Sequence, residues 1–497
     1  MIVFFFSCIF IATSCEKESF LNQQEPEIEN SQESYLETFS KILSKAIVEN
    51  NELREFIKEE ALKMVDNDYD VFYPITKNKI IKGNLTFRDI LKEYVDNEDV
   101  LISLEQSLPL LTIYIPELPS GFNAEIWKAY EEIPHITTGL VRNNSIIYYK
   151  NGKKDFEEEA QLIPGFPLFI IKNNERIKHS DGITKSSSSL DNNYEFIDEA
   201  FDGNNNKSIN TKATIISKAQ YPHLARAYEE MGVNGLYWQR DNIYYGLTKN
   251  SGTTGQGSLD RSLVETITSI AIEPAAYNKI SDQDGDPFIK TENIYTSWMG
   301  DGKSAYPIFW TEGKYEFKID VLINNTVGLG TTITKYISAS PIDLFNINFE
   351  RKTMSSNREM YKFKSIESSQ NLLVNIPLVC WDLSQNGFSW KFLISETDDQ
   401  EQVTRSDTNS SVFAANVSAG FKFGLSFGAS YTTTKSNTYT IVTFKNSDDL
   451  GTLEANFSDP VVITYSPLAT TDENGLGVTY DIKNSYVRLS LEPRKLY

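Results

Sequence analysis

The chain has 497 residues, of which 40% are apolar and 12% aromatic, and its formal net charge is −21. This length and apolar content provide for several buried cores and exclude a protein that is disordered over most of its length. The excess of carboxylates excludes nucleic acid as a partner, because a phosphate backbone is bound by clustered Lys and Arg. It also argues against binding an anionic membrane through a basic face.

The first fifteen residues are uncharged and mostly apolar, and they end Ala12-Thr13-Ser14-Cys15. The run is too short for a transmembrane helix, which needs about 20 apolar residues. It resembles a bacterial lipoprotein signal, in which small residues precede a cysteine that is lipidated, although no basic residue precedes Cys15. The resemblance implies a signal peptide over 1–14, a lipid on Cys15 and a flexible tether over 15–32. It also implies a cell-envelope protein anchored to the outer membrane, on its periplasmic face or at the cell surface.

Apolar residues at three- and four-residue spacing follow the tether. They predict one helix over Tyr35–Ile47 and a second from Leu53 to Val65. Thr86 and Asp89 form a capping-box pattern at the start of a third. Residues 33–107 are therefore predicted to be a helical region.

Short apolar runs bounded by Pro then predict strands, and Ser145–Lys150 leads into Asn151-Gly152, a strong hairpin signal. We predict a small mixed α/β domain over 108–176. The Ser-, Asn- and Lys-rich stretch 177–212 is predicted to be a linker or mobile loop. A mixed helix and strand region over 213–304 follows it.

Aromatic and β-branched runs continue to the end of the chain, such as Tyr315–Val321 and Tyr486–Leu491. They predict a β-sandwich domain over 305–497. The expected fold class is α+β: a small N-terminal helical region, a mixed domain, and one or two mainly antiparallel β-sandwich domains. This layout resembles large Gram-negative surface or periplasmic lipoproteins, a resemblance that carries no functional residues.

Carboxylates at Asp282, Asp284 and Asp286 alternate as oxygen ligands of calcium do. They are the candidate metal ligands and calcium the one candidate cofactor. Pro287 stands where an EF-hand loop has Gly, so the alternative is a solvated acidic turn. Three dispersed histidines and Cys380, which lies in an apolar run, form no catalytic motif. No catalytic residue is assigned.

Apart from Ala414, Phe413–Tyr431 alternates apolar residues with polar residues or Gly over nineteen positions, as a long amphipathic strand does. With Thr432–Asn437 as a turn, it resembles the insertion hairpins of aerolysin-like pore-forming proteins. The alternative is a sandwich strand. It is favoured because the return strand Tyr439–Phe444 is short and carries apolar residues on both faces.

The sequence therefore favours a non-catalytic, membrane-tethered binding module for a protein, glycan or envelope component. Tyr237, Trp238 and Trp298 are aromatic candidates for sugar stacking. Two alternatives stay open: a secreted β-pore-forming protein that uses residues 413–444, and an extracytoplasmic hydrolase.

Overall fold

The computed structural model describes a large part of the chain. The described residues are 25–180, 190–191, 193–204, 221–233, 237–250, 258–281, 286–287, 310, 312–325, 330–354, 357–397, 402–414, 432–444, 448–466 and 476–496. Residues 25–204 are here called the first half and residues 221–496 the second half.

The first half opens with helices whose apolar stripe packs on a sheet. The helices are α1 (Glu25–Glu49), α2 (Asn51–Ala61), α3 (Tyr73–Thr76), α4 (Phe87–Lys92) and α5 (Glu98–Ser107). In α1 the buried residues Phe39, Leu43 and Ala46 repeat at the predicted spacing. The capping box at the start of α4 is confirmed, since the Thr86 and Asp89 side chains each accept from the other's backbone N–H.

The described strands of the first half are β1 (Asp70–Phe72), β2 (Ile80–Lys82), β3 (Leu85–Thr86), β4 (Leu111–Tyr114), β5 (His135–Thr137), β6 (Val141–Arg142), β7 (Ser145–Lys150), β8 (Lys153–Glu159), β9 (Leu162–Pro164), β10 (Leu168–Asn173), β11 (Ile177–His179) and β12 (Tyr194–Phe196). Seven of them build one large, mostly antiparallel sheet, whereas β2 pairs with β3 and β11 with β12 in two small separate sheets. The sheet order among the described residues is β1-β4-β10-β5-β7-β6, with β8 beside β7. The predicted hairpin joins β7 to β8 through Asn151 (φ 50°) and Gly152 (φ 78°).

The second half is dominated by long antiparallel strands. Its helices include α6 (Pro222–Met231), α7 (Gln239–Tyr245), α8 (Pro341–Leu344) and α9 (Leu383–Asn386). Its strands are β13 (Leu263–Ile272), β14 (Tyr315–Ile323), β15 (Thr331–Ala339), β16 (Phe345–Thr353), β17 (Glu359–Ser369), β18 (Leu372–Pro377), β19 (Ser389–Glu396), β20 (Gln402–Ala414), β21 (Thr432–Phe444), β22 (Asp449–Asn456), β23 (Val462–Ser466), β24 (Leu476–Thr479), β25 (Asp481–Lys483) and β26 (Val487–Lys495).

Two sheets, β18-β13-β26-β25 and β15-β14-β19-β22, pack face to face in a sandwich arrangement. Alternate side chains of each sheet, such as Ile267 and Leu489 from one and Phe317 and Phe392 from the other, share one apolar core. With 23% helix and 43% strand in mostly antiparallel sheets, the structure confirms the α+β class.

The two halves are joined by backbone pairing as well as by packing. Strand β9 of the first half pairs with Met360–Lys362 of β17 in the second. Trp310, although it belongs to the second half by sequence, is buried in the core of the first. A junction of this kind positions charged side chains from both halves against one another.

Candidate functional site

Several predicted site residues lie outside the described residues: Cys15, Asp282, Asp284 and Trp298. Asp286 is among the described residues and is half-buried. It lies near the Tyr315 hydroxyl, whose pKa is raised mainly by burial and to a smaller extent by the Asp286 charge. In the part of the chain that the structure describes, no group of three His, Cys, Asp or Glu side chains is arranged to hold a metal ion. The calcium site therefore stays a prediction.

The described aromatic and thiol candidates take part in packing. Trp238 is half-buried and contacts Phe388, with ring centroids 5.2 Å apart and nearly perpendicular rings. It belongs to the edge of the second core, which limits the surface it can offer to a sugar. Burial raises the pKa of the Cys380 thiol to about 11, so this cysteine is a poor nucleophile at neutral pH.

Strands β20 and β21 form a long hairpin that the sequence did not predict. They pair over their whole length, from Gln402↔Phe444 to Ala414↔Thr432. The predicted turn at Thr432–Asn437 is therefore wrong, because these residues are the first half of β21. Of the alternating segment Phe413–Tyr431, residues 415–431 lie outside the described residues, but their two neighbours in the chain, Ala414 and Thr432, lie side by side.

The faces of this hairpin differ in chemistry. Its outward face is almost wholly Ser and Thr and is exposed over Thr404, Ser406, Thr408, Ser410, Thr434, Ser436, Thr438 and Thr440. Its inward face lies on strands β14 and β19, where Tyr439 and Ile441 contact Leu322 and Leu393 in one small apolar cluster. We call this contact the hairpin dock.

Asparagine side chains complete the hairpin dock. Asn324 donates to the Asn409 carbonyl at 3.1 Å, and Asn409 donates to the Leu322 carbonyl at 3.0 Å. The Tyr439 hydroxyl donates to Asn324 Oδ1 at 2.6 Å. A Cβ at position 330 would stand 2.0 Å from that hydroxyl, so only Gly330 permits this close approach.

A second feature is a group of charged side chains at the junction of the two halves, which we call the junction cluster. Its members are Asp66, Asp68, Asp70, Lys172, Glu175, Arg176, Glu312 and Glu316. The three aspartates are buried at 1–2% exposure. The Asn174 amide donates to both Asp66 Oδ2 (2.7 Å) and Asp70 Oδ2 (3.2 Å) and so ties the two carboxylates together.

Two cations connect the aspartates to the second half. The Arg176 guanidinium donates to the Asp66 carbonyl (2.8 Å) and the Lys314 carbonyl (2.7 Å), and pairs with Glu316 at 3.0 Å. The Lys172 ammonium bridges Glu175 (2.8 Å) and Glu312 (3.1 Å). Gly313 admits Asp68, since a Cβ there would lie 1.1 Å from Asp68 Oδ2.

Burial governs the protonation of this cluster. It raises the pKa of Asp66 to about 6, of Glu312 to about 7 and of Glu316 to about 8, and the neighbouring cations only partly oppose it. The pKa of Asp70 is also well above its ordinary value, chiefly through burial. The cluster therefore titrates across neutral pH.

Sequence analysis did not identify the junction cluster, although one local signal exists. Asp66, Asp68 and Asp70 alternate immediately before the buried pair Val71-Phe72. Three carboxylates leading into a buried strand are unusual, because charged groups are seldom buried without partners.

No protein-family model, curated protein or solved structure matches this chain. Among the helices within the described ranges, none is long and apolar enough to span a membrane.

Proposed function

We propose that this protein is a pore-forming protein of the cell envelope that inserts a β-hairpin into a lipid bilayer. A lipid on Cys15 would hold it at the outer membrane outside the cytoplasm. The observation that carries the proposal is the β20–β21 hairpin. From the sequence, a sandwich strand was favoured because the return strand looked too short. Strands β20 and β21 are a long pair of equal length.

The length of the hairpin suits this role. Strands β20 and β21 each have 13 residues, which corresponds to about 43 Å at 3.3 Å per residue. The Ser/Thr face suits the water-filled side of a pore. Apart from the ends that adjoin residues 415–431, these two strands lack a continuous apolar face, so we assign the rest of both strands to the part outside the hydrocarbon core.

In the inserted form, residues 415–431 would supply the apolar face. If the observed register continued through 415–431 in the inserted form, odd-numbered residues would pair with odd-numbered ones, such as Val417 with Ala429 and Ala419 with Phe427. Every apolar residue of the alternation would then face lipid, and Asn, Ser and Gly would face water. Each arm would contribute about 8 residues, and the ends of β20 and β21 would extend it to the 9–11 that a membrane strand needs.

The hairpin dock is compatible with release. Its apolar part consists of Leu322, Leu393, Tyr439 and Ile441, which is far smaller than the core of either half. Most of its other contacts are hydrogen bonds that water can replace, each contributing about 1 kcal/mol net.

Locking the hairpin to the sheet is expected to abolish pore formation. Ser389 Oγ of β19 and Ser411 Oγ of β20 lie 3.4 Å apart, and a disulfide needs about 2.05 Å between its sulfurs. In a C380A background, the S389C/S411C protein should release no dye from phosphatidylcholine–phosphatidylethanolamine liposomes when oxidised. It should recover release when a reductant is added.

A matched lock elsewhere provides the control. Ser269 Oγ and Ser490 Oγ are 2.7 Å apart on neighbouring strands β13 and β26, away from the hairpin. The oxidised S269C/S490C protein should release dye as the C380A protein does. Failure of the wild type to release dye would refute pore formation, and equal release by the oxidised hairpin lock would refute insertion of the β20–β21 hairpin.

One other observation favours the tethered binding module as a second candidate. The irregular segment between β4 and β5 exposes Ile126 and Tyr130, each 61% accessible. Beneath them Arg54 donates to the Ala129 and Tyr130 carbonyls (2.5 and 3.2 Å), and Lys58 donates to the Trp127 carbonyl (2.6 Å). A rigid loop with an exposed aromatic ring is suited to stacking on a sugar.

This candidate predicts that I126S/Y130S weakens binding to immobilised bacterial polysaccharides by about 2- to 10-fold, since stacking of the Tyr130 ring contributes about 0.5–1.5 kcal/mol beyond the area that it buries. The thermal unfolding midpoint should not change. The control is I102S, which removes an exposed apolar side chain (40% accessible) from α5. Equal binding by the double variant and I102S would exclude this loop as the binding site.

A further inference from the structure

The junction cluster holds more negative than positive charge in a buried place. It contains six carboxyl groups and two cations, contributed by the segment after α2, by β1, by β10 with the residues that follow it, by Glu312 and by the start of β14. The titratable groups that face it from the surrounding elements are Tyr114, whose pKa is raised by burial, and Glu117, Lys314 and Asp343. Of these, Lys314 lies over the Tyr69 ring at 5.1 Å.

The hydrogen bonding of the cluster is also incomplete. Within the described residues, no hydrogen bond reaches Asp66 Oδ1, Asp68 Oδ2 or Asp70 Oδ1, and all three atoms are buried. The other oxygens of Asp66 and Asp70 share the single amide of Asn174. Each of these two aspartates keeps one buried oxygen without a donor, and protonation of the carboxyl group removes the buried charge that this oxygen would otherwise carry unsatisfied.

We propose that the junction cluster, buried between the two halves with unpartnered carboxyl oxygens, is a proton-operated latch: protonation of Asp66, Asp70, Glu312 and Glu316 fastens the first half to the second, and loss of those protons loosens the junction. The ligand of the site is the proton. Because the two buried cations can balance only two of the six carboxylates, protons must neutralise the others when the junction is closed. Arg176 and Lys172 stay charged and pair with the carboxylates that remain ionised.

The direction of the effect follows from linkage. Burial raises the pKa of these carboxyls above the pKa they have when the junction opens to water, so the closed junction binds more protons. Closure is therefore favoured as pH falls from about 8 to about 5 and weakened as pH rises through that range. Most proteins behave in the opposite way, because their carboxyls have lowered pKa values.

Hydrogen exchange measured by mass spectrometry tests the latch in the full-length protein. After correction for intrinsic exchange rates, amides of 66–72, 172–176 and 312–318 should be about 100-fold better protected at about pH 6 than at about pH 8.5. D70N and D66N, each of which removes one carboxylate, should raise protection at about pH 8.5 and flatten the pH dependence.

The matched control is E59Q, which neutralises an exposed carboxylate on α2 and should keep the wild-type pH dependence. If either variant fails to fold, the wild-type profile alone decides the question. Protection that is independent of pH, or that increases with pH, overturns the latch. The latch is also overturned if 1 mM calcium restores amide protection at about pH 8.5 while a lower pH does not change it. That result would assign a metal ion to the site.

Discussion

Replacing Arg176 with methionine is expected to lower the free energy of unfolding by about 3–5 kcal/mol, because it leaves buried carboxylates without their counter-ion. Arg176 is 2% exposed and pairs with Glu316 (3.0 Å) and more distantly with Asp68 (3.7 Å). The variant also leaves the Asp66 and Lys314 carbonyls without a donor. Urea denaturation measures the loss, which should be larger at about pH 8.5 than at about pH 6, since more of the cluster is ionised there.

R351M is the matched control for R176M. Arg351 also pairs with a carboxylate, that of Glu359, but its side chain is 67% exposed. An exposed ion pair contributes about 0–1 kcal/mol, so R351M should change stability little. Similar losses in both variants would mean that the junction cluster is not a buried electrostatic site.

A second large effect is expected at Arg240, which lies in the second half. Its guanidinium binds Glu265 through two atoms (2.8 and 3.1 Å), and the two side chains are 5% and 0% exposed. It also donates to the carbonyls of Asp459 and Leu491 and lies over the Phe457 ring at 4.9 Å. R240M should therefore cost about 3–5 kcal/mol, because the Glu265 carboxylate would remain buried and unpaired.

The double variant R240M/E265L separates pairing from packing. Removing both charges removes the unpaired carboxylate, so the double variant should be more stable than R240M alone. Urea denaturation at neutral pH measures all three proteins. A double variant that is less stable than R240M would show that the carbonyl contacts of Arg240 matter more than its charge.

The sequence predicted those elements whose stability is local. Helix α1 has one apolar stripe, α4 has its own capping box, and the β7–β8 hairpin has Asn151 and Gly152, which tolerate positive φ. Helix α5 was missed because Val100, Leu101 and Ile102 are consecutive, which obscures its period.

The hairpin and the junction cluster could not be predicted because they depend on distant partners. Strand β20 is largely polar on both faces, so its sequence shows no alternation. Its inward Asn409 hydrogen bonds to Leu322 of β14 and to Asn324, which follows that strand. Asn174 reaches an aspartate 108 residues away, and Arg176 reaches a carbonyl 138 residues away. Periodicity reports which residues are buried, but it does not report which buried charges meet.

The pairing of β9 with β17 has a consequence for how this chain can be subdivided. A fragment cut between the halves would expose the unpaired edge of β17 and leave the first core without Trp310. Open strand edges recruit other chains and aggregate. We therefore expect neither half to fold as a soluble fragment when it is expressed alone. For the same reason, we expect the two halves to occur together in one gene and not to be exchanged separately between genes.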